Sequence, residues 1–557
     1  MGGVGLSADD EGPSGPPSET SPQGGTDGGS SPRTEEEPHA RRDAAGQIRG
    51  LAKQSLLLVS TGAVGYVGSF VLTVFLARSL GKEPFGAWAI GYSIATLLST
   101  VGLAGADWIL LRQGSYYDGI GDSARLRRTV HVALLISGVL LCVLGAGLFI
   151  AADYIAEHVF HSTSIAPILR LTGLLTPIMG LRQVLVFATQ ASKRMKDAAV
   201  NRNLLQPFVR LVFAVVALAI ASSALSAYVG LFAAEVVLAA AAAWILNRRI
   251  SLLGPTAPVD GRKLLAFALP AWGSRLMGQT RGQLLPILIG SLSAISGSGV
   301  FVASRRVAIA PTSALLAMNQ VYTAMGSDLY LQGRRDELNA LFKSTAKWSY
   351  MIGLPIFSLM VVFPGEILSV FGNGFRTGST ALVILAVGLV FQFATGPVTV
   401  SLIIAGRPRL ALLDYVFVVA VEIALSVWLI PRYGVTGAAV AAATGTMLNN
   451  VLPLIQVWSI LHVLPFRLDF WKPAAASVLA VGAAKLCVEG LDIGSGVAAA
   501  ATAAAIVGIL YVGFIALLGI DEQDRVLVDV ILRRRRHDPK AAVTGENPNE
   551  IVDPGHE

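Results

Sequence analysis

An all-α polytopic membrane fold is what this sequence predicts, and three features predict it. Apolar runs longer than the ~18 residues of a spanning helix recur along most of the chain. Only 14% of its 557 residues are charged, where a soluble chain carries about a quarter, and mean hydropathy is +0.62. Basic residues gather in alternate connections between the apolar runs.

Fourteen spans are read at 55–77, 84–111, 129–152, 166–190, 203–222, 225–247, 264–292, 299–326, 347–371, 379–405, 410–430, 435–462, 473–490 and 496–519. Alternate connections hold Arg112, Arg125, Arg127 and Arg128, then Lys193, Arg194 and Lys196, then Arg248, Arg249, Arg262 and Lys263. The series continues with Arg334, Arg335, Lys343 and Lys347, then Arg407 and Arg409, Arg467 and Lys472, and Arg533 to Arg536. The opposite connections offer only Arg78, Lys82, Arg376 and Arg432. The positive-inside rule therefore places both termini in the cytoplasm and requires an even number of spans. Twelve would satisfy parity, but the runs 473–490 and 496–519 would then need another explanation.

The expected organisation is a disordered cytoplasmic tail at 1–50, a six-helix lobe at 51–262, a second at 263–463, two additional helices at 464–519 and a basic cytoplasmic tail at 520–557. The first apolar run follows about fifty polar residues, so no secretory signal is expected. Outer connections are short, and the longest inner one, 327–346, is polar and expected to be helical. FLARSLGKEPFGAWAIGYSI in the first pair of spans matches LPILIGSLSAISGSGVFVASRRV in the seventh and eighth when Gly86 is set on Gly299. A lag of six spans keeps both halves in one orientation, as parallel repeats around a midplane site require.

The run 264–292 can cross a bilayer, yet it carries Arg275 and Arg281. At 100° per residue, Arg275, Gly278, Gln279, Gly282 and Gln283 share one face, which must turn to protein or water. An arginine facing lipid at mid-depth costs at least ~2.5–3.5 kcal/mol. Arg182 in the fourth span is similarly deep. Arg210 and Glu235 lie equally far from the turn at 222–225 and are expected to pair across that hairpin. Arg182, Arg275 and Arg281 have no acidic neighbour in their own hairpins and are expected to be uncompensated, forming a cationic cavity for an anionic solute. Guanidinium suits phosphate because it stays charged and donates two parallel hydrogen bonds. Arg210, Gln279 and Gln283 join this candidate binding set, with Glu235 and Glu422 as candidate coupling groups. Glu422 shows no obvious partner and reads either as a coupling site or as a protonated, hydrogen-bonded acid. Arg170, Arg305 and Arg306 sit a turn or two from the outer surface, where they can snorkel. Asp107, Asp414 and Lys485 read as interfacial.

The basic surplus of +7 is accounted for by loops between spans, so no nucleic-acid partner is expected. Cys142 and Cys487 both fall in spans and indicate neither disulfide nor metal. There is no GxxxxGK[ST] and no HExxH, and no cofactor or metal is expected.

FLARSLGKEPFGAWAIGYSI, the AFALPAW opening of the second half, VFGNGFRTGSTALVILAVG at 370–388 and LIPRYGVTGAAVAAATG at 429–445 occur in an order that resembles polysaccharide-export flippases. These are the O-antigen, Wzx-like branch of the multidrug/oligosaccharidyl-lipid/polysaccharide (MOP) superfamily, and the likeness extends over about 51–463. It implies two six-helix lobes in a V and a central cationic cavity. It also implies flipping of polyprenyl-(pyro)phosphate-linked oligosaccharide across the cytoplasmic membrane, with membrane lipids and other polysaccharide-assembly proteins as partners. The two helices after 463 and the long acidic N-terminal tail depart from the branch. A cation-coupled drug exporter of the same superfamily is the competing expectation, although the arginine excess opposes cationic cargo. A membrane glycan polymerase or ligase is a third, although the chain shows no sizeable outer loop or catalytic domain.

Overall fold

A computed structural model describes residues 61–192, 195–259, 261–466, 468–491 and 496–517, all within one compact unit, Leu56–Glu557. The tails expected at 1–50 and 520–557 lie outside the described residues. Every regular element among the described residues is helical. The first half comprises α1 (Thr61–Leu80), α2 (Lys82–Gly102), α3 (Ser123–His158), α4 (Ala166–Ala191), α5 (Asp197–Ile220) and α6 (Ala224–Ile250). The second comprises α7 (Gly261–Leu292), α8 (Ile295–Ala308), α9 (Thr312–Leu331), α10 (Arg335–Val362), α11 (Ser379–Thr395), α12 (Val398–Ile404) and α13 (Pro408–Leu461). Two further helices follow, α14 (Trp471–Gly490) and α15 (Val497–Leu517).

Among the described residues, eleven helices are long and apolar enough to cross a membrane, or twelve if α8 and α9, bent by 48°, count as one span. Pro311 lies at that bend. α7 is not among the eleven, since its arginines and glutamines dilute its apolar content. The inner connection expected at 327–346 is helical but not a separate element. It is shared by the ends of α9 and α10, which meet at Gly333 (φ 72°).

The 54 residues of α13 would measure about 80 Å if straight, far beyond a bilayer core of about 30 Å. The helix instead reverses at Gly434, whose φ of 53° and ψ of −127° suit a residue without Cβ. Gly437 then packs on the Leu429 backbone, Gly445 on Glu422, and Gln456 bonds to Asp414. The partners run in opposite directions, so α13 is an antiparallel pair of arms, as the separate expectations at 410–430 and 435–462 require.

α2 packs along both α7 and α8 and thereby joins the two halves. At the end that the charge pattern assigns to the outside, the first turns of α2 and α8 touch through glycines. A Cβ on Gly86 would collide with the Ile295 carbonyl, and one on Gly299 would lie 2.5 Å from the Lys82 carbonyl. Both pairs have the same repeat offset of 213 (299 less 86, and 295 less 82). Position 86 meets the counterpart of 82, and 82 meets the counterpart of 86. Such reciprocity is the mark of contact across a two-fold axis. Beside it, Phe70 and Phe371 stand with ring centres 5.7 Å apart, and Phe85 and Phe375 5.9 Å apart, closing that end with aromatic rings from both halves. Toward the other end, Ala268 of α7 packs on Gly105, and Trp272 Nε1 donates to the Thr100 carbonyl at 3.1 Å. α14 and α15 pack on each other and on α10, around Ala476, Ala480, Val481 and Tyr511.

Candidate functional site

Three clusters of charge lie within the helical body. In the first half, Glu235 of α6 is fully buried and its carboxylate accepts from two arginines. Arg182 Nε of α4 donates to Oε2 at 2.7 Å, and Arg210 of α5 donates to Oε1 through Nε at 2.8 Å and Nη2 at 2.5 Å. Arg210 Nη1 also reaches the Tyr92 hydroxyl on α2 at 3.1 Å. The expected Arg210–Glu235 pair is present, and Arg182 joins it from a third helix.

In the second half, Arg281 Nε of α7 donates to Glu422 Oε2 of α13 at 2.7 Å, and its guanidinium lies 5.8 Å from the centre of the Tyr415 ring. Gly445 provides the room, because a Cβ there would stand 2.5 Å from Glu422 Oε2. Arg305 of α8 donates to the Gly282 carbonyl at 2.5 Å, one residue along from Arg281. A cavity of about 10 Å³, space for a single water, adjoins the pair between Thr280, Leu284, Val419 and Ser426.

The third cluster spans the two halves. Arg275 Nη1 of α7 donates to Asp107 Oδ2 at 2.7 Å, and the guanidinium lies 4.8 Å from the Phe187 ring centre. Asp107 is 1% exposed, and its Oδ1 has no partner. Arg202 lies within electrostatic reach of Arg275.

These contacts overturn one expectation. Arg182, Arg275 and Arg281 are not uncompensated, and Glu422 does have a partner. Their carboxylates come from other hairpins, 53, 168 and 141 positions away in sequence, beyond any comparison of adjacent spans. Arg305 and Arg306 also depart from the snorkelling expectation. Arg305 bonds a carbonyl ten residues below the end of α7, about 15 Å deep. Arg306 lies 4.8 Å from the Tyr66 ring centre. Arg170 keeps to the surface and pairs with Asp153 at 2.5 Å. Lys485 is exposed and 4.0 Å from Glu489. Gln279 and Gln283 are on α7, neither of them fully buried.

A cationic surplus persists. Arg182, Arg210, Arg275, Arg281 and Arg305 are set against Glu235, Asp107 and Glu422. Sequence reasoning does not single out Tyr92, Tyr415 or Arg202, since a lone tyrosine or a near-terminal arginine carries no distinguishing pattern. Among the described residues, no group of three or more His, Cys, Asp and Glu is placed to hold a metal.

Residues 75–376 match the family described as Polysaccharide biosynthesis protein. A probable low-salt glycan biosynthesis flippase, Agl15 of Haloferax volcanii, is 22% identical over 406 residues, covering 72% of this chain and 82% of that protein. The lipid II flippase MurJ in an inward closed conformation superposes with a TM-score of 0.64 at 12% identity, over 82% of this chain and 98% of that one. An inward-facing multidrug resistance MATE family transporter of the MOP superfamily superposes at 0.60 and 15% identity, over 73% and 98%. The helical body thus has the fold of MOP-superfamily transporters, and the chain, a multi-pass membrane protein, belongs to the polysaccharide biosynthesis protein family.

Proposed function

We propose that this protein is a flippase that moves polyprenyl-(pyro)phosphate-linked oligosaccharide across the cytoplasmic membrane for cell-surface polysaccharide synthesis, by alternating access. The observation that carries the reading is the surplus of arginine over carboxylate on helices that join the two halves. Arg275 and Arg281 lie on α7 and Arg305 on α8, and Arg210 reaches Tyr92 of α2. A phosphate entering between the halves adds the missing negative charge, and in a low-dielectric setting guanidinium binds it strongly. Agl15 is named a glycan biosynthesis flippase and MurJ a lipid II flippase, which supports the same class of cargo.

In this reading Arg275, Arg281 and Arg305 hold the phosphate, Gln279 and Gln283 line the same α7 face, and Arg182 with Arg210 set the potential of the first half. α13 counts as two crossings and α7 as one, giving fourteen crossings with both termini in the cytoplasm and lobes at 51–262 and 263–463. The phenylalanine contacts and the glycine pair then close the outer side of an inward-oriented state. In this reading transport draws on a gradient, on substrate supply or on another protein.

The test uses purified protein in vesicles with a fluorescent polyprenyl-diphosphate oligosaccharide. Arg281→Gln combined with Glu422→Gln keeps a neutral hydrogen-bonded pair while removing the guanidinium. Loss of one charge-assisted contact of about 1.5–3 kcal/mol lowers the flipping rate roughly 10- to 150-fold. Unchanged flipping in a correctly folded double variant refutes the assignment. Export of cationic drugs with no glycan movement selects the exporter reading.

A further inference from the structure

The strongest unassigned feature is a pair of polar side chains at the inner end of the α13 hairpin. Gln456 Nε2 donates to Asp414 Oδ1 at 2.8 Å. The two remaining oxygens, Asp414 Oδ2 and Gln456 Oε1, are both closed to solvent and both lack a partner. Two such acceptors are what an ionised carboxylate beside an amide leaves behind, since neither oxygen has a hydrogen to offer. Burying them unsatisfied is costly, and each calls for an explanation. One proton answers for both. A neutral Asp414 donates from Oδ2 to Gln456 Oε1 while accepting from Nε2, which is the cyclic pairing open to a carboxylic acid and a primary amide.

Among the described residues, no other charge offers an alternative. Among the described residues Asp414 has no ion pair. Its neighbour Tyr415 lies against Arg281, and Glu422 is held by the same arginine. On the helices packed against α13, Arg275 is engaged by Asp107 and Arg305 by the Gly282 carbonyl, while Arg306 lies against Tyr66. α11 and α12 carry no titratable side chain, and Arg407, which precedes the hairpin, and Arg409, in its first turn, are exposed.

We propose that Asp414 and Gln456 form a proton-binding site that links transport to protonation from the cytoplasmic side. With the proton bound, the two arms of α13 are tied at their open end. When it leaves for water, Asp414 becomes a carboxylate facing an amide oxygen, the second hydrogen bond is lost, and the arms are held there by one bond instead of two. Asp414→Asn supplies the hydrogen permanently, since two amides pair in the same cyclic fashion.

Infrared difference spectroscopy on the full-length protein tests this without any transport assay, so its outcome is separate from that of the flippase reading. Wild type should show a protonated-carboxyl band that persists where exposed carboxyls have already ionised and disappears on further titration, and Asp414→Asn should lack that band while unfolding at the same temperature. In vesicles, the transport rate of wild type should depend on pH over the range in which the band disappears, and that of Asp414→Asn should not. Identical spectra for wild type and Asp414→Asn at every pH overturn the proposal.

Discussion

The two halves of the helical body handle buried charge differently. Around Glu235 the ions are sealed: the carboxylate is fully buried, and the side chains of Arg182 and Arg210 are 5% and 9% exposed. Around Glu422 they are loosely held. Arg281 is 18% exposed, makes one ion contact and adjoins a cavity. Arg275 is 29% exposed against a closed-off Asp107. A sealed ion network ties helices together and is difficult to reorganise, whereas a partly open one can exchange its carboxylate for another anion. The first cluster is therefore a structural knot, and the second, with Arg275, is the part of the molecule to which the proposed function assigns the cargo.

The largest effect that distinguishes them is expected at Glu235. Glu235→Gln leaves two guanidinium groups short of their counter-charge, at about 3–5 kcal/mol. The variant should unfold far below wild type in detergent, and near-wild-type melting would erase the contrast between the halves. Gly86→Leu comes next. A side chain there meets the Ile295 carbonyl, and overpacking of this kind costs about 1–3 kcal/mol. It should prop the outer contact apart, read as increased labelling of a cysteine placed beside Phe375. The paired change Arg281→Gln with Glu422→Gln should be smaller in stability, since a neutral pair of similar volume replaces a partly open ion pair, yet it should slow flipping by about one to two orders of magnitude. A melting shift as large as that of Glu235→Gln would make the second cluster structural too. Smallest is Arg170→Ala. The Arg170–Asp153 pair is about half exposed, so its loss should alter stability by no more than about 0.2–1 kcal/mol and leave flipping intact.

What was legible in the sequence follows from the reach of each signal. Hydropathy is local, so helix positions and the reversal within α13 could be anticipated from apolar runs and the turn around Tyr433 and Gly434. The repeat register set on Gly86 and Gly299 depended on a short motif, and the reciprocal contact at those glycines has the same offset. Arg210 and Glu235 could be matched because they flank one turn. Arg281 and Glu422 could not, being 141 positions apart with five intervening helices. Periodicity identifies a polar face and its need for shelter, but not the helix that supplies it. The expected absence of counter-charge around Arg182, Arg275 and Arg281 failed for that reason. Asp414 illustrates the converse: its position at a helix end marked it as interfacial, and only the pairing with Gln456 gives it another character.

The glycine pair between α2 and α8 has a mechanical consequence. A position that meets its own counterpart must serve both sides of the joint with the same chemistry, and a residue with no side chain does so without favouring any direction. The two helices can roll over one another there without a knob having to leave its hole. If the halves rock as the proposed function requires, the joint acts as a plain bearing, and resistance to the motion comes from the rings and charges around it.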